Sequence, residues 1–71
     1  MENFEGTLTI GPAEALLDLK IMEIADADCG DSDCRRRRAR DHFFNQGLVT
    51  GSQIAVTGTF DEATNVLTIV R

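Results

Sequence analysis

Two stretches of this chain alternate apolar and polar residues with a period of two, and a helix cannot bury one face with that spacing. In Phe4–Ile10, Phe4, Gly6, Leu8 and Ile10 fall on one side and Glu5, Thr7 and Thr9 on the other. In Gln53–Phe60, Ile54, Val56, Gly58 and Phe60 oppose Ala55, Thr57 and Thr59. Successive side chains of a strand point to opposite faces, so both stretches read as half-buried strands. Val66–Val70 is apolar on both faces. The polar turn residues Asp61–Asn65 join it to the preceding strand as a hairpin.

Ala13–Ala25 is ambiguous. Its Ala, Leu and Glu content and Pro12 at a first helical position favour a helix. On a helical wheel, however, Glu14 and Asp18 fall nearly opposite Lys20 and Glu23, and no polar face forms. On a strand, Leu17, Leu19 and Ile21 share one face and Asp18 and Lys20 the other. Packing outranks propensity, so the expectation is a strand over Ala15–Ile24, paired with the first through a turn at Gly11–Glu14. Leu17, Leu19 and Ile21 then point together into the core.

Asp26–Asp33 is a polar loop. Ser32 or Asp33 is placed to cap a helix running to about Gln46, with Gly47 as its left-handed terminator. Ala39, Phe43 and the stem of Arg36, widened by Phe44, would be its buried stripe. Arg35, Arg37, Arg38 and Asp41 would face water.

With 71 residues the chain is one small domain, residues 1–71. It has no Trp or Tyr, so the four Phe are the large anchors available to a core. A domain this small has only a few kcal/mol of stability and little volume for a bulky cofactor. None is expected.

The element order is β-β-α-β-β and the expected class is mainly β. Gly51, Ile54, Val56, Gly58, Leu67 and Ile69, within G-L-V-T-G-S-Q-I-A-V-T-G-T-F-D-E-A-T-N-V-L-T-I, resemble strands of the OB-fold. In that small barrel a glycine is followed by alternating apolar residues up to another glycine. The likeness covers about a third of the chain, mainly residues 47–70. It implies oligonucleotide or oligosaccharide binding on one barrel face. Phe4 and Phe60 both fall on inward faces, which leaves no aromatic platform for stacking bases. The expected core is Leu8, Ile10, Leu17, Leu19, Ile21, Phe43, Ile54, Val56, Phe60, Leu67 and Ile69. The alternative is an α+β domain, with residues 12–27 helical and a three-stranded antiparallel sheet under two helices.

The net charge of −5 conceals two halves of opposite sign. Residues 1–34 hold nine acids and only Lys20 as a base; residues 35–71 hold six arginines against Asp41, Asp61 and Glu62. Asp26–Arg40 reads D-A-D-C-G-D-S-D-C-R-R-R-R-A-R. Arg35, Arg36, Arg37, Arg38 and Arg40, with Lys20, are the candidate contacts to nucleic-acid phosphates, because guanidinium forks match phosphate oxygens. Arginines in a first helical turn oppose the helix dipole, which suggests a role other than helix stability. The competing reading pairs them with nearby carboxylates, Asp41 with Arg37 or Arg38 among them.

Cys29 and Cys34 are spaced C-x4-C. As metal ligands they lack a second close pair, and His42 lies about 12 Å beyond Cys34 along a helix. A disulfide requires an oxidising setting. Two free thiols in a cytoplasmic protein are the default, since neither a signal peptide nor a membrane-length apolar run is present. The loop is not a calcium loop either, with glycine at its fifth position and no glutamate at the twelfth. His42 reads as an exposed helical histidine, and no nucleophile, acid–base pair or phosphate loop is complete. The chain is therefore expected to be a nonenzymatic module binding DNA or RNA through its arginine-rich helix. The alternative is a protein-interaction or self-assembly module that uses exposed strand edges.

Overall fold

The computed structural model describes residues 1–70 and has the mainly β class expected. Five strands, β1 (Glu2–Ile10), β2 (Ala15–Leu17), β3 (Lys20–Ile24), β4 (Gln53–Asp61) and β5 (Val66–Ile69), accompany one helix, α1 (Ser32–Asn45). They close into a barrel in the order β1-β2-β3-β5-β4, compatible with an OB-like small barrel. Neighbours are antiparallel except β3 and β5, which run parallel from Ile21↔Val66 to Ile24↔Ile69. The long strand β1 serves two partners. Glu2–Thr7 pairs with β4, and Leu8–Ile10 pairs with β2. The alternative α+β fold is thereby excluded, since residues 15–24 are extended apart from one turn.

That turn corrects the expected second strand. The chain reverses at Asp18–Leu19, so the order is β-β-β-α-β-β. Asp18 adopts φ 54, the left-handed region that aspartate tolerates better than most residues. Its Oδ1 accepts from Thr7 N–H at 3.0 Å, and its own N–H donates to Thr7 O at 2.9 Å. From the other side, Asn65 Nδ2 donates to Leu19 O at 2.6 Å and Asn65 O accepts from Ile21 N–H at 3.0 Å.

The reversal flips which residues face inward. Leu17 pairs with Lys20 and Leu16 with Ile21, and directly opposite residues share a face. Ala15 and Leu17 therefore point into the barrel before the turn, and Met22 and Ile24 after it. Ile21 lies outside beside Leu16 and Val66, half-buried. Leu19, at the tip, is 83% exposed and belongs to no core. The observed core is Leu8, Ala15, Leu17, Met22, Ile24, Ala39, Phe43, Leu67 and Ile69. Phe4, Ile10, Leu48, Ile54, Val56 and Phe60 pack against it.

At Gly58 the backbone of β4 lies tight against β5. A Cβ there would run into the Thr68 carbonyl and lie 3.0 Å from Ile69 Cα, both backbone neighbours that cannot rotate away.

The helix packs mainly against β3 and also touches β2 and β1. It begins one residue earlier than Ser32 or Asp33 as caps would allow. Asp31 is extended, and its Oδ1 accepts from Cys34 N–H at 2.8 Å. At the other end Leu48 N–H donates to Phe43 O and Gly47 N–H to Phe44 O, the paired bonds of a left-handed glycine stop, with Gly47 at φ 79. Ala39 and Phe43 are buried as expected, whereas Phe44 is 55% exposed and does not widen the stripe.

Candidate functional site

The arginine run leaves β3 behind it and lies along the first turns of α1, so its neighbours are the acids of β3 and of the loop before the helix. Glu23 is the central one. It sits between Met22 and Ile24 on β3, faces outward beneath the helix, and is only 5% exposed. A carboxylate at that depth requires partners. Arg35 Nε donates to Glu23 Oε1 at 2.9 Å, and Arg36 Nη1 lies 3.8 Å from Glu23 Oε2. Arg35 also donates from Nη2 to Ser32 Oγ at 3.0 Å. The expectation that Arg35 faces water is corrected. It is half-buried, because β3 presents an anion directly below it.

The other guanidinium groups follow the same rule. Arg36 pairs with Asp33 one turn earlier. Arg38 lies 3.5 Å from Asp26 in the loop. Arg40 Nε donates to Gly11 O at 3.2 Å, Nη1 donates to Asp41 at 3.1 Å, and its guanidinium stacks 4.5 Å from the Phe44 ring centroid. Asp41 therefore pairs with the adjacent Arg40 rather than with Arg37 or Arg38. Arg37 is exposed and has no carboxylate partner among the described residues. Lys20 is not part of this cluster. It lies at the far end of β3, about 13 Å of extended chain away from Ile24, with Nζ 5.5 Å from the Phe60 ring centroid.

Sequence reasoning named the five arginines but missed Glu23. Its signal was an acid inside K-I-M-E-I, an apolar strand where a lone charge needs a countercharge. The carboxylates also offset the helix dipole that arginines in a first turn oppose, with Asp31 at the cap and Asp33 in the first turn.

The two cysteines are joined in a disulfide, with Cα atoms 5.4 Å apart, an ordinary separation for such a bond. This corrects the default of free thiols and withdraws both sulfurs as thiolate ligands. Cys29 N–H donates to Asp26 O at 3.0 Å and Asp28 N–H to Asp26 Oδ1 at 2.9 Å, so the loop turns tightly just before the bond. The described residues contain no group of three metal-ligating side chains. His42 contacts Gln46 one turn on, at 3.0 Å between Nε2 atoms, and shares no site with the cysteines.

A different surface carries the exposed apolar side chains. A groove of about 380 Å³ lies between the β1–β2 turn, the end of α1 and the segment after it, lined by Ile10, Gly11, Pro12, Arg40, Phe44, Leu48, Val49 and Thr50. Phe44 and Val49, 55% and 64% exposed, border it. Its signal in the sequence was the Phe43–Phe44 pair, since adjacent helical residues cannot both face one core.

Barrel closure also removes the exposed strand edges on which the assembly reading relied. No helix among the described residues is long and apolar enough to cross a membrane. Comparison with protein-family models, curated proteins and solved structures gives no match.

Proposed function

We propose that this chain is a nonenzymatic interaction module that docks an apolar segment of another protein in the groove beside Phe44. The supporting observation is the gathering of Ile10, Pro12, Leu48, Phe44 and Val49 around one depression, with Arg40 laid across the Phe44 ring. Contiguous exposed apolar surface marks interaction sites, and aromatic and arginine side chains dominate interface energetics. Arg40 is held by Gly11 O and Asp41, so this wall of the groove is set before a partner arrives. The test is a screen of short random peptides against the whole chain. Peptides with an apolar anchor should be recovered, should shift the amide resonances of Ile10, Gly11 and Phe44–Thr50, and should bind at least about tenfold more weakly to Phe44→Ser/Val49→Ser. Recovery of no peptide that perturbs those amides contradicts the reading.

A second reading, binding of DNA or RNA phosphates, is supported by Arg37, which has no carboxylate partner among the described residues, and by Arg38, which is 50% exposed. The barrel order also suits an OB-like module, whose ligand face lies over its second and third strands. Here that face borders a groove lined by Ile21, Glu23, Ser32, Arg36, Asp61, Thr64, Val66 and Thr68, in which two acids outnumber one arginine and no aromatic offers a stacking surface. Those charges oppose a polyanion, so protein docking ranks first. Fluorescence anisotropy with short DNA and RNA discriminates the two. Phosphate binding predicts salt-sensitive association that Arg37→Ala/Arg38→Ala weakens, with a salt slope shallower by about 1.4 on a single strand. Absence of association at low salt removes this reading.

A further inference from the structure

We infer that the Cys29–Cys34 disulfide is a reducible clasp that holds the acidic loop against α1 and thereby keeps Arg38 paired. The bond ties the loop to the first turn of the helix, and Asp26 lies just upstream of it. Arg38 reaches Asp26 across 3.5 Å, with half its side chain in water. The Asp26 side chain is only 13% exposed, but a pair 3.5 Å long to a half-exposed guanidinium contributes little on its own. Beyond it, the loop before the cap is held by its own short turns at Asp26 and by the disulfide. Both cysteines are partly exposed, so a reductant can reach them.

The step is a thiol–disulfide exchange with a small dithiol. Two electrons pass from the dithiol, the Sγ–Sγ bond of Cys29 and Cys34 breaks, each sulfur takes a proton, and the reductant leaves as its own disulfide. Once the bond opens, chain entropy favours release of the loop, and Asp26 leaves Arg38. Arg37 and Arg38 then stand side by side without carboxylate partners. Arg35 stays where it is, because Glu23 belongs to β3 and not to the loop. The clasp therefore separates two classes of arginine, one fixed by the barrel and one masked by the loop.

The experiment follows backbone amides and arginine Nε–H resonances of the whole chain by NMR, with and without excess dithiothreitol. On reduction, exchange of the hydrogen-bonded amides of Asp28 and Cys29 should accelerate at least about tenfold. The Arg38 Nε–H signal should move toward its free position while those of Arg35 and the barrel amides hold. Cys29→Ser/Cys34→Ser should show the reduced spectrum without reductant and should not respond to it. The inference is overturned if the loop keeps its exchange protection after reduction. It is equally overturned if Arg35 and the barrel amides change together with Arg38, since the bond would then be structural.

Discussion

Leu17→Ala is expected to cost about 2–5 kcal/mol, most or all of the stability available to a domain of this size. Leu19→Ala, two residues on, should stay within about 0.5 kcal/mol of the parent. Leu17 is 1% exposed and shares the interior with Leu8, Met22 and Leu67, so truncation leaves a cavity that a small barrel closed on all sides cannot collapse. Leu19 occupies the tip of the β2–β3 turn, where only its backbone is used, as the acceptor for Asn65. A continuous strand over Ala15–Ile24 would give the two leucines equal costs. Urea unfolding followed by circular dichroism reads both variants, since the chain has no Trp or Tyr to report by fluorescence.

The second large effect separates arginines that are adjacent in sequence. Arg35→Ala should destabilise the fold by about 2–3 kcal/mol, because it leaves the Glu23 carboxylate buried without its main donor. Arg36, 3.8 Å away and committed to Asp33, cannot replace that hydrogen bond. Arg37→Ala removes an exposed guanidinium with no carboxylate partner among the described residues and should change stability by no more than about 0.5 kcal/mol. Removing both members of the buried pair tests the cause. Glu23→Met with Arg35→Met should recover most of the loss, since apolar replacements of a buried pair are often neutral or stabilising. If Arg35→Ala and Arg37→Ala are equally mild in urea, the helix is not held to β3 through Glu23.

The strands at residues 4–10 and 53–60 were legible because each buries one face, and burial imposes a period of two on the sequence; the one at 66–70, apolar on both faces, was legible as a short apolar run after a polar turn. The helix was legible from its polar entry, its Ala39–Phe43 spacing and the glycine after it. The break at Asp18 was not. Its cause lies in hydrogen bonds to Thr7 and Asn65, far away along the chain, whereas the local pattern L-L-D-L-K-I reads equally well as one uninterrupted strand. One missed turn was enough to place Leu19 and Ile21 in the core and to leave out Met22 and Ile24.

For the site, sequence supplied the arginines and their competing partners but not the choice between them. That choice depends on which acids the fold brings under the helix, and Glu23 arrives there only because β3 runs beneath it. The cysteines were undecided for the same reason. A C-x4-C spacing suits a disulfide only when the helix starts close enough to the preceding turn to bring the two Cα atoms together, as the Asp31 cap and the Asp26 turns do here.

The most direct test of barrel closure is the parallel seam between β3 and β5, because β1–β4 already joins the strands before and after the helix and this second pairing is what closes the ring. Nuclear Overhauser contacts between the backbone protons of Ile21–Ile24 and those of Val66–Ile69 are expected in the register Ile21↔Val66 through Ile24↔Ile69. Their absence, or helical chemical shifts across Ala15–Ile24, would contradict the closed barrel and the placement of Glu23 under the arginines.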